Sequence, residues 1–285
     1  MNRRLFVNSF PKSGTNLVEK LSRLLGYRRS GRSLAFSSVH GRHELLKRLI
    51  RAHGLWGAAV PIGLEAPASV SAAWLRRYIN TVPVGSYFSG HAAWSGHLEY
   101  LLREAGFKTI QVIRDPRGIL SSLTGYAVEE GNEWFPFHSA FAKLSRRELL
   151  SFYLRGGYVA EAGMYYSGIR EALERAAGWH RSPGALVVRF EDLVGQKGGG
   201  SDQVQRETLG AIVDFLEIPG VDISSIQQEL FGGTHTFRGG QVDRWVGDFD
   251  AELTEAIAKE LADLPWLRGL GYDFAWPAAQ SPAKG

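Results

Sequence analysis

The stretch RRLFVNSFPKSGTNLVEKLSRLL, residues 3–25, decides the fold that the sequence predicts. It opens with an apolar run at residues 5–7, turns at residues 11–15, and continues with apolar residues at helical spacing. This pattern predicts a strand, a short loop and a helix that packs on a sheet. The free backbone N–H groups at such a helix start favour a phosphate, and Lys12 adds a positive charge beside them.

The loop PKSGT, residues 11–15, differs from the P-loop of nucleoside triphosphatases, G-x-x-x-x-G-K-[ST]. Its lysine precedes the glycine, and the leading glycine of the P-loop motif is missing. Ser13 and Thr15 supply hydroxyl groups that suit a phosphate. Taken alone, the loop is also compatible with an ordinary strand–turn–helix that exposes a lysine.

Composition and charge narrow the classes of protein. The 285 residues, 44% of them hydrophobic, suffice for a single α/β domain over residues 1–285, or less readily for two small domains. The chain has no cysteine, which excludes disulfides, thiolate metal sites and thiol nucleophiles. Its formal net charge of +4 fits a polyanionic small ligand and is too small to indicate nucleic acid.

The chain shows no targeting or membrane segment in its pattern. A strand begins within a few residues of the start, and no apolar run approaches the ~20 residues of a membrane helix. We therefore expect a cytoplasmic protein without a transmembrane segment. The histidines lack metal-binding spacing, so we expect no metal site.

A second strand–turn–helix unit follows in the middle of the chain. The run KTIQVIR, residues 108–114, is typical of a buried parallel strand, while Asp115 and Pro116 suit the N-cap and first residue of a helix. Open α/β sheets bind ligands at the carboxyl ends of their strands. The two units would therefore present basic residues and hydroxyls at one edge of a sheet.

The remaining pattern supplies more strands and helices. Strands are predicted at residues 82–90 and 184–193, and helices at residues 43–53, 71–79, 205–216 and 251–261. Residues 28–42 are predicted to form a polar loop, and residues 152–174 one or two long helices. The segment 61–67 breaks the helical pattern. In an enzyme this region would shape a substrate pocket, and otherwise it supplies outer-layer helices.

Three segments in this order resemble the sulfotransferase family that uses 3′-phosphoadenosine 5′-phosphosulfate (PAPS). Residues 11–15 resemble its 5′-phosphosulfate loop, Arg114 with Ser122 is similar to its 3′-phosphate grip, and residues 238–240 with Trp245 are similar to its C-terminal loop. The run RFEDL, residues 189–193, also looks like a strand end of that family. The resemblance implies that PAPS is bound by Lys12, Ser13, Gly14, Thr15, Asn16, Arg114, Ser122, Arg238, Gly239 and Gly240.

The sequence departs from the family pattern in two places. Leu17 stands where family members often carry a tryptophan that stacks on adenine, and Asn16 replaces a common threonine. The third loop differs at Gly239, Asp243 and Arg244. These departures leave the adenine contacts and the geometry of the third loop open.

The resemblance implies an α/β fold with a central parallel sheet flanked by helices, a P-loop-like three-layer architecture of the nucleotide-kinase type. It implies sulfonate transfer from PAPS to the hydroxyl or amine of a small or carrier-bound acceptor, with adenosine 3′,5′-bisphosphate (PAP) as product. Two other functions remain open, an ATP-dependent kinase related to P-loop enzymes and a nucleotide-binding protein without catalysis. No nucleic-acid partner is expected.

His91 and Lys12 are the predicted catalytic residues. His91 follows Gly90 at a predicted strand end, so its ring would emerge at the same sheet edge as Lys12 and Arg114. It is also similar in order and spacing to the catalytic histidine of the family. An imidazole accepts a hydroxyl proton at neutral pH, and Lys12 would follow the charge that builds on the leaving oxygen.

The alternative interpretation of His91 is a structural histidine that is hydrogen-bonded at a strand end. His97 and His138 are its rivals, although the sequence places His97 in a helix and His138 in an aromatic loop. If no histidine serves as the base, a carboxylate such as Glu44 or Glu129 is the next candidate.

Overall fold

The computed structural model describes residues 3–35, 59–130, 137–231 and 241–274. Its strands are β1 (Arg4–Ser9), β2 (Arg28–Leu34), β3 (Ala59–Pro61), β4 (Ser69–Ser71), β5 (Ser86–Gly90), β6 (Phe107–Ile113), β7 (Gly156–Val159), β8 (Met164–Ser167) and β9 (Ala185–Arg189). Its helices are α1 (Thr15–Leu24), α2 (Ala72–Asn80), α3 (Gly96–Glu104), α4 (Pro116–Ala127), α5 (His138–Phe141), α6 (Arg146–Arg155), α7 (Ile169–Ala176), α8 (Asp202–Leu216), α9 (Ile223–Leu230), α10 (Ala251–Leu261) and α11 (Pro265–Gly269).

The centre of the molecule is a five-stranded sheet with the strand order β2-β5-β1-β6-β9. Every neighbouring pair of strands in this sheet is parallel. Two short antiparallel ladders, β3 with β4 and β7 with β8, lie outside it. All five central strands therefore end at one edge of the sheet, where their carboxyl ends meet.

The central strand β1 divides the core into two layers, because successive side chains of a strand point to opposite faces. Leu5 and Val7 join an apolar cluster with residues of α1, α8 and α9. Phe6 joins the cluster on the other face, with residues of α2 and α3. A third cluster packs α4, α6, α7 and α10 together. Helices thus cover both faces of the sheet, and the predicted three-layer α/β architecture is confirmed.

Most predicted elements are present at or near their predicted positions. The strands at residues 82–90 and 184–193 correspond to β5 and β9, and the helices at residues 71–79, 205–216 and 251–261 to α2, α8 and α10. The helix predicted at residues 43–53 lies outside the described residues. The single-domain assignment stays a prediction. Among the helices of the described ranges, none has the length and hydropathy that crossing a membrane requires.

The predicted loop at residues 28–42 is wrong at its start, where Arg28–Leu34 forms strand β2. Because β2 lies at one end of the strand order, most of its side chains face solvent. An edge strand of this kind lacks the alternation of apolar residues by which a strand is recognised. The polar composition of β2 is also typical of a loop, which is why a loop was predicted there.

The helices predicted across residues 152–174 are also wrong, because the antiparallel hairpin β7–β8 separates α6 from α7. Helix α6 ends at Arg155, and Gly156 follows with a positive φ of 72°. A Cβ atom at Gly156 would lie 2.3 Å from the backbone nitrogen of Gly168, so the chain requires glycine there. The Gly156-Gly157 pair is the helix stop signal that the sequence offered.

Candidate active site

The loop between β1 and α1 has the backbone geometry of an anion site. Lys12 and Gly14 both adopt positive φ angles, 64° and 99°, and the Ser13 backbone N–H donates to the Phe10 carbonyl oxygen over 3.1 Å. No side chain caps the N-terminus of α1, whose N-cap residue is Gly14. The Ser13 hydroxyl is fully buried and makes no hydrogen bond with any described residue. A helix start of this kind, with an unpaired hydroxyl beside it, is suited to a phosphate oxygen.

Phe190 packs against this loop and fixes its position. A Cβ atom at Gly14 would lie 2.6 Å from Cδ2 of Phe190, so only glycine lets the loop approach the ring so closely. The guanidinium carbon of Arg114 lies over the same ring, 4.5 Å from its centroid. One aromatic ring therefore holds both the loop glycine and the strand-end arginine.

Arg114 links the loop to the C-terminal part of the chain. Its Nη1 donates to the Lys12 carbonyl oxygen over 3.4 Å, and its Nη2 donates to the Gln241 carbonyl oxygen over 3.0 Å. The residue is only 8% exposed, so its charge sits inside the protein rather than on a solvated surface. The predicted companion of Arg114, Ser122, lies half-buried on α4.

Asp115 and Glu191 organise the start of α4. Asp115 is its N-cap and accepts a hydrogen bond from the Arg117 backbone N–H over 2.8 Å, as the sequence predicted. The Glu191 carboxylate accepts hydrogen bonds from the Asp115 backbone N–H over 2.9 Å and from the Tyr272 hydroxyl over 2.7 Å. Burial raises the pKa of Glu191, while these two bonds lower it. Glu191 therefore satisfies the backbone N–H of the N-cap residue of α4 and joins it to Tyr272.

Arg117 and Trp245 pack against each other and against other residues of the protein. Arg117 pairs with the Asp115 carboxylate, and its guanidinium carbon lies 4.1 Å from the ring centroid of Trp245. Trp245 itself is buried.

Hydrogen bonds hold His91 beside Ser9, the last residue of β1. Its Nδ1 lies 3.0 Å from the Ser9 carbonyl oxygen and 3.2 Å from the Ser9 hydroxyl. That hydroxyl is 2.6 Å from Oγ1 of Thr15, the first residue of α1. A carbonyl oxygen only accepts, so the Ser9 carbonyl assigns the ring proton to Nδ1. The other ring nitrogen, Nε2, then carries the lone pair that a general base needs.

Lys12 extends from the loop toward α4. Its Nζ lies over the ring of Tyr126, 4.3 Å from the centroid. Burial is the main cause that raises the pKa of the Tyr126 hydroxyl, and the charge of Glu65 adds to it. The charge of Glu65 thus acts on the ring over which Lys12 lies.

Glu65 is the residue of this site that the sequence analysis missed. It accepts a hydrogen bond from the Tyr166 hydroxyl over 2.7 Å. Burial raises the pKa of its carboxyl group, while the charge of His91 and the bond from Tyr166 lower it. The available signal was a lone carboxylate in the otherwise uncharged stretch of residues 59–71.

The structure brings most predicted site residues together. Lys12, Ser13, Gly14 and Thr15 form the loop, and Asn16 follows it in an exposed position on α1. Arg114 contacts the loop directly, and His91 reaches it through Ser9. The third-loop residues Arg238, Gly239 and Gly240 lie outside the described residues, as does the alternative base Glu44.

Both rivals of His91 lie on helices. His97 belongs to α3, and His138 is the first residue of α5. His91 is linked to the loop after β1 by hydrogen bonds that run through Ser9 and Thr15.

Comparison with known proteins gives a result at the level of structure. No model of a known protein family matches the chain, and no curated protein matches its sequence. The crystal structure of mouse sulfotransferase SULT7A1 complexed with PAP matches with a TM-score of 0.56 at 14% identity, over 95% of this chain and 89% of that chain.

Two structures of retinol dehydratase match as well, one with androsterone and PAP and one with retinol and PAP. Each has a TM-score of 0.54 at 14% identity and covers 91% of this chain and 80% of its own. Identity this low speaks for the fold and not for individual residues. With its parallel five-stranded sheet and the loop between β1 and α1, the chain has the fold of the PAPS-dependent sulfotransferases.

Proposed function

We propose that this protein is a sulfotransferase that moves a sulfonate group from PAPS to an acceptor. The observation that carries the proposal is the convergence of Lys12, His91 and Arg114 on one loop at the carboxyl edge of the sheet. The neighbouring folds that are solved with PAP support it.

The loop suits the 5′ end of the donor. The unpaired Ser13 hydroxyl, the uncapped start of α1 and the Thr15 hydroxyl together offer several hydrogen-bond donors to a phosphosulfate. We assign the 3′-phosphate to Arg114 and Ser122, and we keep Arg238, Gly239 and Gly240 as further donor ligands. Arg114 suits this role because its fork-shaped guanidinium pairs with two oxygens of one phosphate.

The reaction is an in-line displacement at sulfur. The acceptor oxygen attacks the sulfur atom while His91 Nε2 takes the proton of the acceptor hydroxyl. The bond between sulfur and the bridging phosphate oxygen breaks, and the electron pair stays on that oxygen. Lys12 neutralises the resulting charge, and PAP leaves. The attacking oxygen, the sulfur and the leaving oxygen must share one line, with the base within hydrogen-bond reach of the attacking oxygen, which requires residues on both sides of the sulfur.

The first prediction concerns the donor. If Arg114 and Ser122 hold a 3′-phosphate, PAP should raise the melting temperature far more than 5′-AMP does, because charge-assisted bonds contribute about 1.5–3 kcal/mol each. Differential scanning fluorimetry measures this difference. Arg114→Lys, which keeps the charge but loses the fork, and Ser122→Ala should each reduce it.

Equal stabilisation by PAP and 5′-AMP would contradict the assignment and favour the kinase. Transfer itself is tested with isotope-labelled PAPS and a panel of phenols, alkyl alcohols, sugars and amines, read as gain of one SO3 by mass spectrometry. PAP binding without transfer to any acceptor would favour a nucleotide-binding protein without catalysis.

A further inference from the structure

The segment that follows β3 runs beside His91. The Ala93 backbone N–H donates to the Ile62 carbonyl oxygen over 3.1 Å, and Gly63 forms an antiparallel bridge with Ala92. A Cβ atom at Gly63 would lie 1.9 Å from the Ala66 carbonyl oxygen, so the tight turn requires glycine. The bridge and the turn carry Glu65 past the catalytic histidine.

Three hydrogen bonds from β8 and α7 hold Glu65 and the preceding Leu64 in place. The Ser167 backbone N–H donates to the Glu65 carbonyl oxygen over 2.6 Å, and Arg175 Nη1 donates to the Leu64 carbonyl oxygen over 3.2 Å. The Tyr166 hydroxyl donates to Oε1 of Glu65. In the described part of the chain, Oε2 receives no hydrogen bond. Tyr166 thus holds one carboxylate oxygen, while the other remains for a ligand.

The tyrosine that packs edge-on against Tyr166, with 5.4 Å between ring centroids, carries a buried hydroxyl without a partner among the described residues. Tyr153 is 1% exposed, and its hydroxyl makes no hydrogen bond with any described residue. Burial raises the pKa of this hydroxyl well above its usual value, and the charges of Glu65 and Tyr126 raise it further. Buried polar groups are nearly always hydrogen-bonded, so the Tyr153 hydroxyl is a second group that awaits a ligand.

The wall behind these polar groups is aromatic. Phe137 meets Tyr166 edge-on with 5.2 Å between ring centroids, and Phe141 meets Tyr153 edge-on at 5.5 Å. Phe152 contacts the same two tyrosines. A ligand here would place an apolar body against rings and a polar group at Glu65.

The charges at the site indicate which polar group a ligand would place at Glu65. Bound PAPS carries several negative charges, which would neutralise Lys12 and Arg114. The Glu65 carboxylate would then face a negative donor across a site of low polarity, and a cation bound beside the carboxylate relieves this repulsion. Tyrosine ring faces also attract cations.

We propose that Glu65 and Tyr153 form an acceptor subsite for an amphipathic molecule that carries a protonated amine and a separate hydroxyl. This inference rests on the proposed sulfotransferase function and deepens it. An amine held by Glu65 as ammonium has no free electron pair and is no nucleophile. The hydroxyl of the same molecule, lying toward His91, is therefore the group that receives the sulfonate.

The test uses three phenols of similar size and different charge, namely 4-(2-aminoethyl)phenol, 4-(2-hydroxyethyl)phenol and 3-(4-hydroxyphenyl)propanoate. Isothermal titration of the PAP-saturated protein should give an affinity for the amine at least about tenfold above that for the neutral phenol. The propanoate should bind most weakly. Glu65→Gln should bring the amine and the neutral phenol to within about twofold of each other.

Glu104→Gln is the matched control, because Glu104 lies on α3 and pairs with Arg76. It should leave the preference for the amine unchanged. Tyr166→Phe removes the bond that holds Glu65 without removing its charge, and should weaken amine binding less than Glu65→Gln does. It also serves as the test variant if Glu65→Gln fails to fold.

Equal binding of the three phenols, no binding of the amine, or an amine preference that survives Glu65→Gln would each overturn the inference. None of these outcomes affects the rise in melting temperature that PAP is expected to cause. If PAP fails to stabilise the wild-type protein more than 5′-AMP does, the proposed function fails instead, so the two failures are distinguishable.

Discussion

Lys12 combines a functional position with an uncommon backbone conformation. It has a φ of 64°, and residues other than glycine rarely adopt positive values. Such conformations persist where the surroundings hold them, and they concentrate at functional sites. Here the carbonyl oxygen of Lys12 accepts a bond from Arg114 while its ammonium lies over Tyr126. These two contacts hold Lys12 in its conformation.

Replacement of Lys12 tests its role in leaving-group stabilisation. Lys12→Ala should lower turnover by about 10²–10³-fold, because one charge that stabilises the transition state is lost. Lys12→Arg should restore little activity, since a planar guanidinium does not replace a compact ammonium. Steady-state kinetics with circular dichroism as the folding control measure both. A Lys12→Ala enzyme with nearly normal turnover would assign the leaving group to another residue.

Replacement of His91 separates catalysis from donor binding. His91→Ala should reduce transfer by about 10²–10⁴-fold, the usual contribution of a general base. Its affinity for PAP should stay almost unchanged, because the ring contacts Ser9 and not the residues assigned to the phosphates. Titration calorimetry and a transfer assay on the same preparation give both values. Retention of more than about a tenth of wild-type turnover with an alcohol acceptor would exclude His91 as the base.

At the scale of elements, the short 3₁₀ turn Phe190–Asp192 after β9 supports the loop of another strand. Phe190 touches both Gly14 and Arg114, so the packing of β9 determines the shape of the site at β1 and β6. A site built at the meeting point of three strands depends on their register, and the parallel pairing fixes that register.

Gly14→Ala should destabilise the protein by about 2 kcal/mol or more, through the positive φ and through overlap with Phe190. Gly96→Ala is its control, because a Cβ atom at Gly96 meets nothing within 4 Å, and it should be neutral or stabilising. Urea denaturation measures both. In a Phe190→Leu background the cost of Gly14→Ala should fall, since the overlap disappears and only the backbone strain remains. An unchanged cost would show that the contact with Phe190 plays no part.

Elements with a buried, periodic face were predictable from the sequence, and elements without one were not. β1, β6 and α1 each bury apolar residues at regular spacing, and each was predicted correctly. The hairpin β7–β8 consists of two four-residue strands, which are too short to establish a period of two against the helices on either side.

At the scale of the whole molecule, Glu191 joins three distant parts of the chain. Its carboxylate accepts bonds from Asp115 at the start of α4 and from Tyr272 in the C-terminal segment, and it follows β9 directly. Because burial raises its pKa in the folded state, the unfolded chain ionises first as the pH rises. The carboxyl group therefore costs no stability at acid pH and reduces stability progressively as the pH rises through its folded pKa.

Glu191→Gln removes this ionisation and keeps the shape of the side chain. Its stability relative to the wild type should therefore increase between about pH 4 and pH 8. Tyr272→Phe removes a bond that favours the charged form, so its stability should fall more steeply with pH than that of the wild type. Urea midpoints across this range measure both trends. Parallel curves for all three proteins would contradict the assigned cause.

The donor side of the candidate site was readable from the sequence, and the acceptor side was not. Phosphate binding uses short local motifs, so Lys12, Ser13 and Arg114 stand out in one dimension. Glu65 and Tyr153 are linked only through Tyr166 of the hairpin, which bonds to Glu65 and packs on Tyr153 of α6. No spacing rule joins two residues so far apart in the chain.

The arginines of β2 have a consequence beyond this chain. A strand at the end of a sheet offers unpaired backbone groups to any other strand, and aggregation starts from such edges. Arg28, Arg29 and Arg32 are exposed along β2, and a shift in its register lies between Arg29 and Ser33. Two copies that met edge to edge would bring like charges together along an irregular ladder. At high concentration and low ionic strength the protein should therefore resist aggregation through β2. Added salt screens these charges and should weaken this resistance.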